Sequence, residues 1–188
     1  MNDAYTGEKH RAIRLGKEDA KDISALYKEV WLKAYEYPKE WREKCAMSEE
    51  EIKKEMDSGY FFFGVRIDGK LVGVYKASIT ERGCFGEQQA VLPEYRNQGV
   101  ASAMYEQFFE FAKANKCKVN YVNVLAGNEP CERVMKKYNF CIRPVSHGNR
   151  VRACGSRPTS GRWIAPLSRN RKNSSLKPKS KTLTCFQR

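Results

Sequence analysis

Between residues 20 and 34 the apolar side chains fall at Ala20, Ile23, Leu26, Tyr27, Val30, Trp31 and Ala34, the spacing of one helix face, and residues 11–15 before them read as a short strand. Ser48 opens a second helix: Glu51 completes a capping box, Met47 and Ile52 stand as a hydrophobic staple, and Gly59 marks the stop. Two β-rich runs, 60–67 and 70–80, flank Asp68-Gly69, a two-residue hairpin turn, so these strands are expected to be antiparallel. A third β-rich run covers 85–92 and ends at Pro93. After the loop 94–99, Ala101, Met104, Tyr105, Phe108 and Ala112 form another helical stripe. Residues 118–125 read as a further strand and 129–138 as a helix behind it. Strand, loop, helix, strand, helix in that order is a βαβα unit, which places the chain in the mixed α/β class.

The chain has 188 residues, enough for one domain with a sizeable core and an appendage. Its net charge of +13 is unevenly spread. From residue 141 to 188 there are twelve Lys and Arg and no Asp or Glu, so residues 1–140 are close to neutral. The pattern therefore predicts a domain over 10–142 and a basic, irregular, disordered tail over 143–188. Seven cysteines without a C-x-x-C pair argue against a disulfide framework or a zinc ribbon, and His10 and His147 have no partner at ligand spacing, so no metal is expected. No apolar run approaches a membrane span, and residues 1–18 lack the apolar region of a secretory signal, which makes the cytoplasm the expected compartment.

The segment most specific for chemistry is 91–101, Val91-Leu92-Pro93-Glu94-Tyr95-Arg96-Asn97-Gln98-Gly99-Val100-Ala101, which joins a strand to the start of a helix. Unsatisfied N–H groups at the positive end of a helix dipole suit a phosphate or pyrophosphate. Gly99 permits close approach, Ala101 keeps the helix start small, and Arg96 adds a fixed cation. The loop lacks G-x-G-x-x-G and G-K-[ST], so nicotinamide and nucleoside triphosphate sites are disfavoured.

In these residues the chain resembles the GNAT superfamily of N-acetyltransferases, whose pyrophosphate loop reads R/Q-x-x-G-x-G/A. Arg96 to Ala101 matches it, Val91-x-Pro93 is similar to the family's lead-in, and the order of elements agrees over about residues 11–140. Asn128 resembles the family's Asn ahead of the last helix, and residues 133–140 (RVMKKYNF) resemble its closing helix, with Asn139 where Gly is common. The resemblance implies a GNAT acyl-CoA acyltransferase fold, here with an irregular C-terminal tail in place of the usual last strands.

It also implies an acetyl-CoA-dependent N-acetyltransferase that acts on a primary amine, with acetyl-CoA as co-substrate and no metal. By resemblance, the strand ending at Val91 pairs with the pantetheine arm, Arg96, Asn97, Gln98, Gly99, Val100, Ala101 and Ser102 hold the pyrophosphate, and Asn128 contacts the same arm. The acceptor is expected to be a small-molecule or peptide amine. A homodimer is allowed and a membrane is not expected.

Glu87 lies four residues before Val91, and the period of two puts both on one face. The resemblance implies a carboxylate on this strand as base, so Glu87 is the catalytic candidate; its structural reading is a solvated strand residue or a salt-bridge partner. At the position of the family's proton-donating Tyr stands Met135, which cannot donate. Tyr138 lies one turn on and reads as a core residue. Trp31, Tyr35, Tyr37 and Trp41 span the connection after the first helix, where the family builds part of its acceptor wall, and they read either as that wall or as packing on the sheet. The acidic run 49–55 reads as a solvated helix face. For the tail three readings stand: inert disorder, a shifted reading frame fused to the domain, or an arm that binds nucleic acid. The last supports an alternative function, a catalytically weak acyl-CoA-binding module with a nucleic-acid-associating tail.

Overall fold

The computed structural model describes residues 10–125, 128–145, 150–153 and 182–187. They fall into two units, one reaching to Asn120 and one starting at Tyr121. In the first, four strands form an antiparallel sheet in chain order: β1 (Ile13–Leu15), β2 (Phe61–Ile67), β3 (Lys70–Thr80) and β4 (Gly83–Val91). Asp68 and Gly69 both have positive φ (50° and 79°), as the two-residue turn between β2 and β3 requires. The helices are α1 (Ala20–Trp31), α2 (Lys39–Cys45), α3 (Glu49–Asp57) and α4 (Val100–Ala114).

The two faces of this sheet carry different cores. On one, Leu15, Phe62, Leu71, Val74 and Ala90 pack with Ile23, Leu26 and Tyr27 of α1 and Ile52 of α3. On the other, Phe61 and Phe63 meet Phe111 of α4 at ring distances of 4.9 and 5.0 Å, and Tyr75 meets Phe108 edge-on. Gly73 on β3 admits α4: a side chain there would run into Val100 and Met104.

Helix α3 starts as its sequence predicts. The Ser48 hydroxyl accepts from the Glu51 N–H at 3.2 Å, the Ser48 N–H donates to Glu51 Oε2 at 2.7 Å, and Met47 and Ile52 are buried. Gly59, at φ +91°, ends it, with the Tyr60 N–H returning to the Glu55 carbonyl. Helix α1 stops at Trp31, short of Ala34. Helix α2 has no counterpart in the sequence pattern: seven residues, only Cys45 of them buried, are too short for a periodic stripe, although Pro38 at its N-terminus favours a start there.

The second unit holds all of β5 (Asn120–Leu125) but its first residue, then α5 (Glu129–Lys137) and β6 (Cys141–Val145), with β7 (Arg150–Ala153) and β8 (Thr182–Gln187) each paired antiparallel to β6. Where the pattern predicts an irregular chain after residue 142, these described residues extend and pair, because Val151, Thr182, Thr184 and Phe186 favour strands. The remaining tail, 146–149, 154–181 and 188, with His147, lies outside the described residues, and the predictions of disorder and of a nucleic-acid arm rest there. Residues 1–9 also lie outside. Among the described residues no helix is long and apolar enough to cross a membrane.

Candidate functional site

The loop after β4 is built to expose backbone donors. The Leu92 N–H donates to the Val72 carbonyl at 2.9 Å and anchors the loop to β3, and Pro93 to Tyr95 form one tight turn. Gln98 Nε2 then donates to the Glu94 carbonyl at 2.8 Å. Asn97 and Gly99 both take left-handed backbone, at φ +61° and +84°, and turn the chain onto the N-terminus of α4. Arg96, Asn97, Gln98 and Gly99 are exposed, whereas Val100 is buried and fastens the first turn to the sheet. Ala101 and Ser102, in that first turn, are half-buried. A Cβ built at Gly99 meets no atom within 4 Å, so the cradle opens on that side. Concave backbone of this kind, followed by first-turn N–H groups and flanked by an arginine, suits a pyrophosphate.

Glu87 sits where β4 departs from regular pairing. Lys76 opposes Glu87 and Val74 opposes Ala90, so Gln88 and Gln89 together face Tyr75, a β-bulge, and Gln88 takes φ +52°. This corrects the period-of-two expectation. The extra residue reverses the phase, leaving Glu87 on the α1–α3 side with Lys76 while Val91, opposite Gly73, shares the α4 side. Gln88 Nε2 reaches Cys45 Sγ of α2 at 3.6 Å, and its Oε1 is buried with no partner among the described residues.

Around Glu87 lies a cluster that the strand pattern does not reveal. Lys76 is 3% exposed, and its ammonium donates to Glu55 Oε1 at 2.7 Å and Oε2 at 2.5 Å. It stands 3.7 Å from Glu87 Oε1 and 4.5 Å from the centre of the Tyr60 ring. Glu55, expected on a solvated face, is thus turned inward by a buried cation. Burial pushes the Glu87 carboxyl above its ordinary value; Lys76 pulls the other way, and Glu55 adds to the rise. Burial also pushes the Cys45 thiol up to about 12, so it stays protonated and is no nucleophile. Tyr27 is fully buried, its hydroxyl without a partner among the described residues, and burial raises it well above the usual range.

Trp31 stands edge-on to Tyr37 at 5.6 Å and to Trp41 at 5.1 Å, and Tyr37 stacks on Trp41 at 4.6 Å, so the aromatic set packs upon itself. Tyr35 lies outside it, 78% exposed with Arg42 over its ring. In the second unit Asn128 caps α5, its Oδ1 accepting from the Cys131 N–H at 3.3 Å. Met135 is fully buried, and Tyr138 is half-buried at the helix end. Asn139 has φ +55°, a left-handed position that explains why glycine suits that site. Among the described residues no three His, Cys, Asp or Glu side chains gather into a metal-sized group.

Residues 21–140 match the model of the Acetyltransferase (GNAT) family. No curated protein matches the chain. Among solved structures it is similar to the PaiA N-acetyltransferase of Thermoplasma acidophilum in complex with coenzyme A: TM-score 0.65, 17% identity, covering 74% of this chain and 94% of that one. It is also similar to yncA of Salmonella typhimurium with its cofactor acetyl-CoA (TM-score 0.65, 11% identity, 95% and 93% covered). A third is the ribosomal-protein-S18-alanine N-acetyltransferase of Escherichia coli (TM-score 0.62, 15% identity, 95% and 92% covered). At these identities the likeness is one of fold.

Proposed function

Because the chain belongs to the GNAT family of acetyltransferases, we propose that it transfers the acetyl group of acetyl-CoA to a primary amine, with Glu87 as the base. The observation that carries this reading is the pair of left-handed residues, Asn97 and Gly99, that turns the motif onto the start of α4. The first-turn amides and Arg96 would hold the pyrophosphate, which the open side of Gly99 can admit. Acetyl-CoA, when bound, supplies the thioester carbonyl that the amine attacks.

The chain's own part is to position the amine and to take its proton. At neutral pH an amine arrives as ammonium, and an ionised carboxylate with a raised pKa is the suitable acceptor for that proton. Glu87 is the proposed acceptor: burial raises it above its ordinary value, and its side chain is still 23% exposed. No proton donor is assigned to the leaving thiolate, since the Met135 thioether carries no proton to give. Asn128 remains a proposed coenzyme contact beside its capping role. On this reading the chemistry falls within residues 10–142, and the charge excess of 143–188 lies outside it.

Thiol release from acetyl-CoA over a panel of polyamines, amino acids, aminoglycosides and peptides tests the activity, with calorimetric titration of CoA beside it. Amine-dependent turnover with CoA binding supports the reading. Absence of CoA binding by the intact protein overturns it, and binding without turnover on any amine favours the acyl-CoA-binding alternative.

A further inference from the structure

Lys76 is the most deeply buried cation described in the first unit, and it faces two carboxylates. Glu55 takes it with both oxygens, at 2.7 and 2.5 Å, whereas Glu87 stays at 3.7 Å, beyond hydrogen-bond reach. A buried lysine on a central strand costs stability unless it is paired, and here Glu55 supplies the pair while Glu87 does not. The cross-strand register sets Lys76 directly opposite Glu87, so without Glu55 the nearest anion for the ammonium would be Glu87 itself.

We propose that Glu55 is a positioning residue for the acetyl transfer: by holding Lys76 with both its oxygens, it keeps that ammonium from closing on Glu87 and leaves the Glu87 carboxylate free to accept the amine's proton. This inference rests on Glu87 acting as the base. The groups facing Glu87 are Lys76 from β3, Glu55 from α3, Lys44 and Cys45 from α2, and Tyr27 from α1. Of these, Lys76 is the cation nearest to it and the one held by a second carboxylate. Removing Glu55 hands the cation to Glu87, which favours the ionised form and weakens the base. Removing Lys76 leaves two carboxylates facing each other, which disfavours it.

The test follows the Glu87 carboxyl directly, by carboxyl-carbon NMR titration of the full chain, its signal assigned by loss in Glu87→Gln. Glu55→Gln should lower its midpoint by about one pH unit and Lys76→Met should raise it by about as much. The acid limb of kcat/KM, measured with the best amine of the panel, should move in the same two directions. Glu55→Gln should also lower the plateau roughly tenfold. The double variant Glu55→Gln/Lys76→Met should recover a midpoint above that of Glu55→Gln alone. If Glu55→Gln does not fold, Glu55→Asp, one methylene shorter, should give a smaller downward shift. Midpoints that move in neither Glu55 nor Lys76 variant, or both in one direction, overturn the proposal. An acid limb that persists in Glu87→Gln would instead overturn Glu87 as base, which the titration shifts do not depend on.

Discussion

The two faces of the β1–β4 sheet are built from the same strands and answer to different demands. On the α4 face Phe61, Phe63, Tyr75, Phe108 and Phe111 meet ring to ring, and Glu110 and Lys113 of α4 are exposed. On the α1–α3 face a comparable apolar core is interrupted by Lys76, Glu55, Glu87 and Gln88. Burying such groups costs stability that rings would have supplied, so the proposed chemistry is assigned to the face that carries them, while the other face anchors the helix that follows the loop.

Glu87→Gln gives the largest expected effect, lowering kcat by about a hundred- to ten-thousand-fold. Because the base must be ionised, native kcat/KM should fall as pH drops through the raised Glu87 value, and this limb should vanish in the variant. The sign for stability is opposite to that of most carboxylates. A group whose folded value is raised contributes stability in full below its unfolded value and loses it as pH rises through the folded value. Melting curves of Glu87→Gln near neutral pH should therefore equal or exceed the native Tm; a marked drop would mean that Glu87 is chiefly a structural ion-pair partner.

Phe108→Ala strikes the other face. Phe108 is 2% exposed against Tyr75, and its truncation should cost about 3–5 kcal/mol in denaturant titration while leaving the pH limb in place. A shift of the limb in this variant would blur the contrast between the faces.

Smaller effects belong to the loop that α4 presents. Arg96→Ala should weaken CoA binding by about 1.5–3 kcal/mol, read by calorimetry. Gly99→Val should weaken it too, since a β-branched residue at φ +84° is strained and fills the open side of the cradle. Neither should change melting as Phe108→Ala does. The smallest effect is expected at the solvated end of α3, where Ser48→Ala removes one half of the capping box and should cost about 1 kcal/mol in the same titration.

Features set by neighbours along the chain are legible in the amino-acid order. The Ser48–Glu51 box, the Asp68-Gly69 turn, the stripes of α1 and α4 and the motif from Arg96 to Ala101 each need only a few consecutive residues, because capping, turn dihedrals and helical spacing are local. Glu87 is legible as a residue type on a strand. Its face is not, since the bulge at Gln88 and Gln89 depends on which β3 residues pair with β4, and one inserted residue reverses the alternation. Lys76 and Glu55 are hidden for a related reason: a lysine in a strand and a glutamate in an acidic helix both read as solvated, and only the packing of α3 on β3 makes them a buried pair. The sequence by itself therefore determined most of the elements, the family and the motif from Arg96 to Ala101. Tertiary structure alone decided which charges share one low-dielectric space, because Coulomb and desolvation energies depend on distances between residues far apart in the chain.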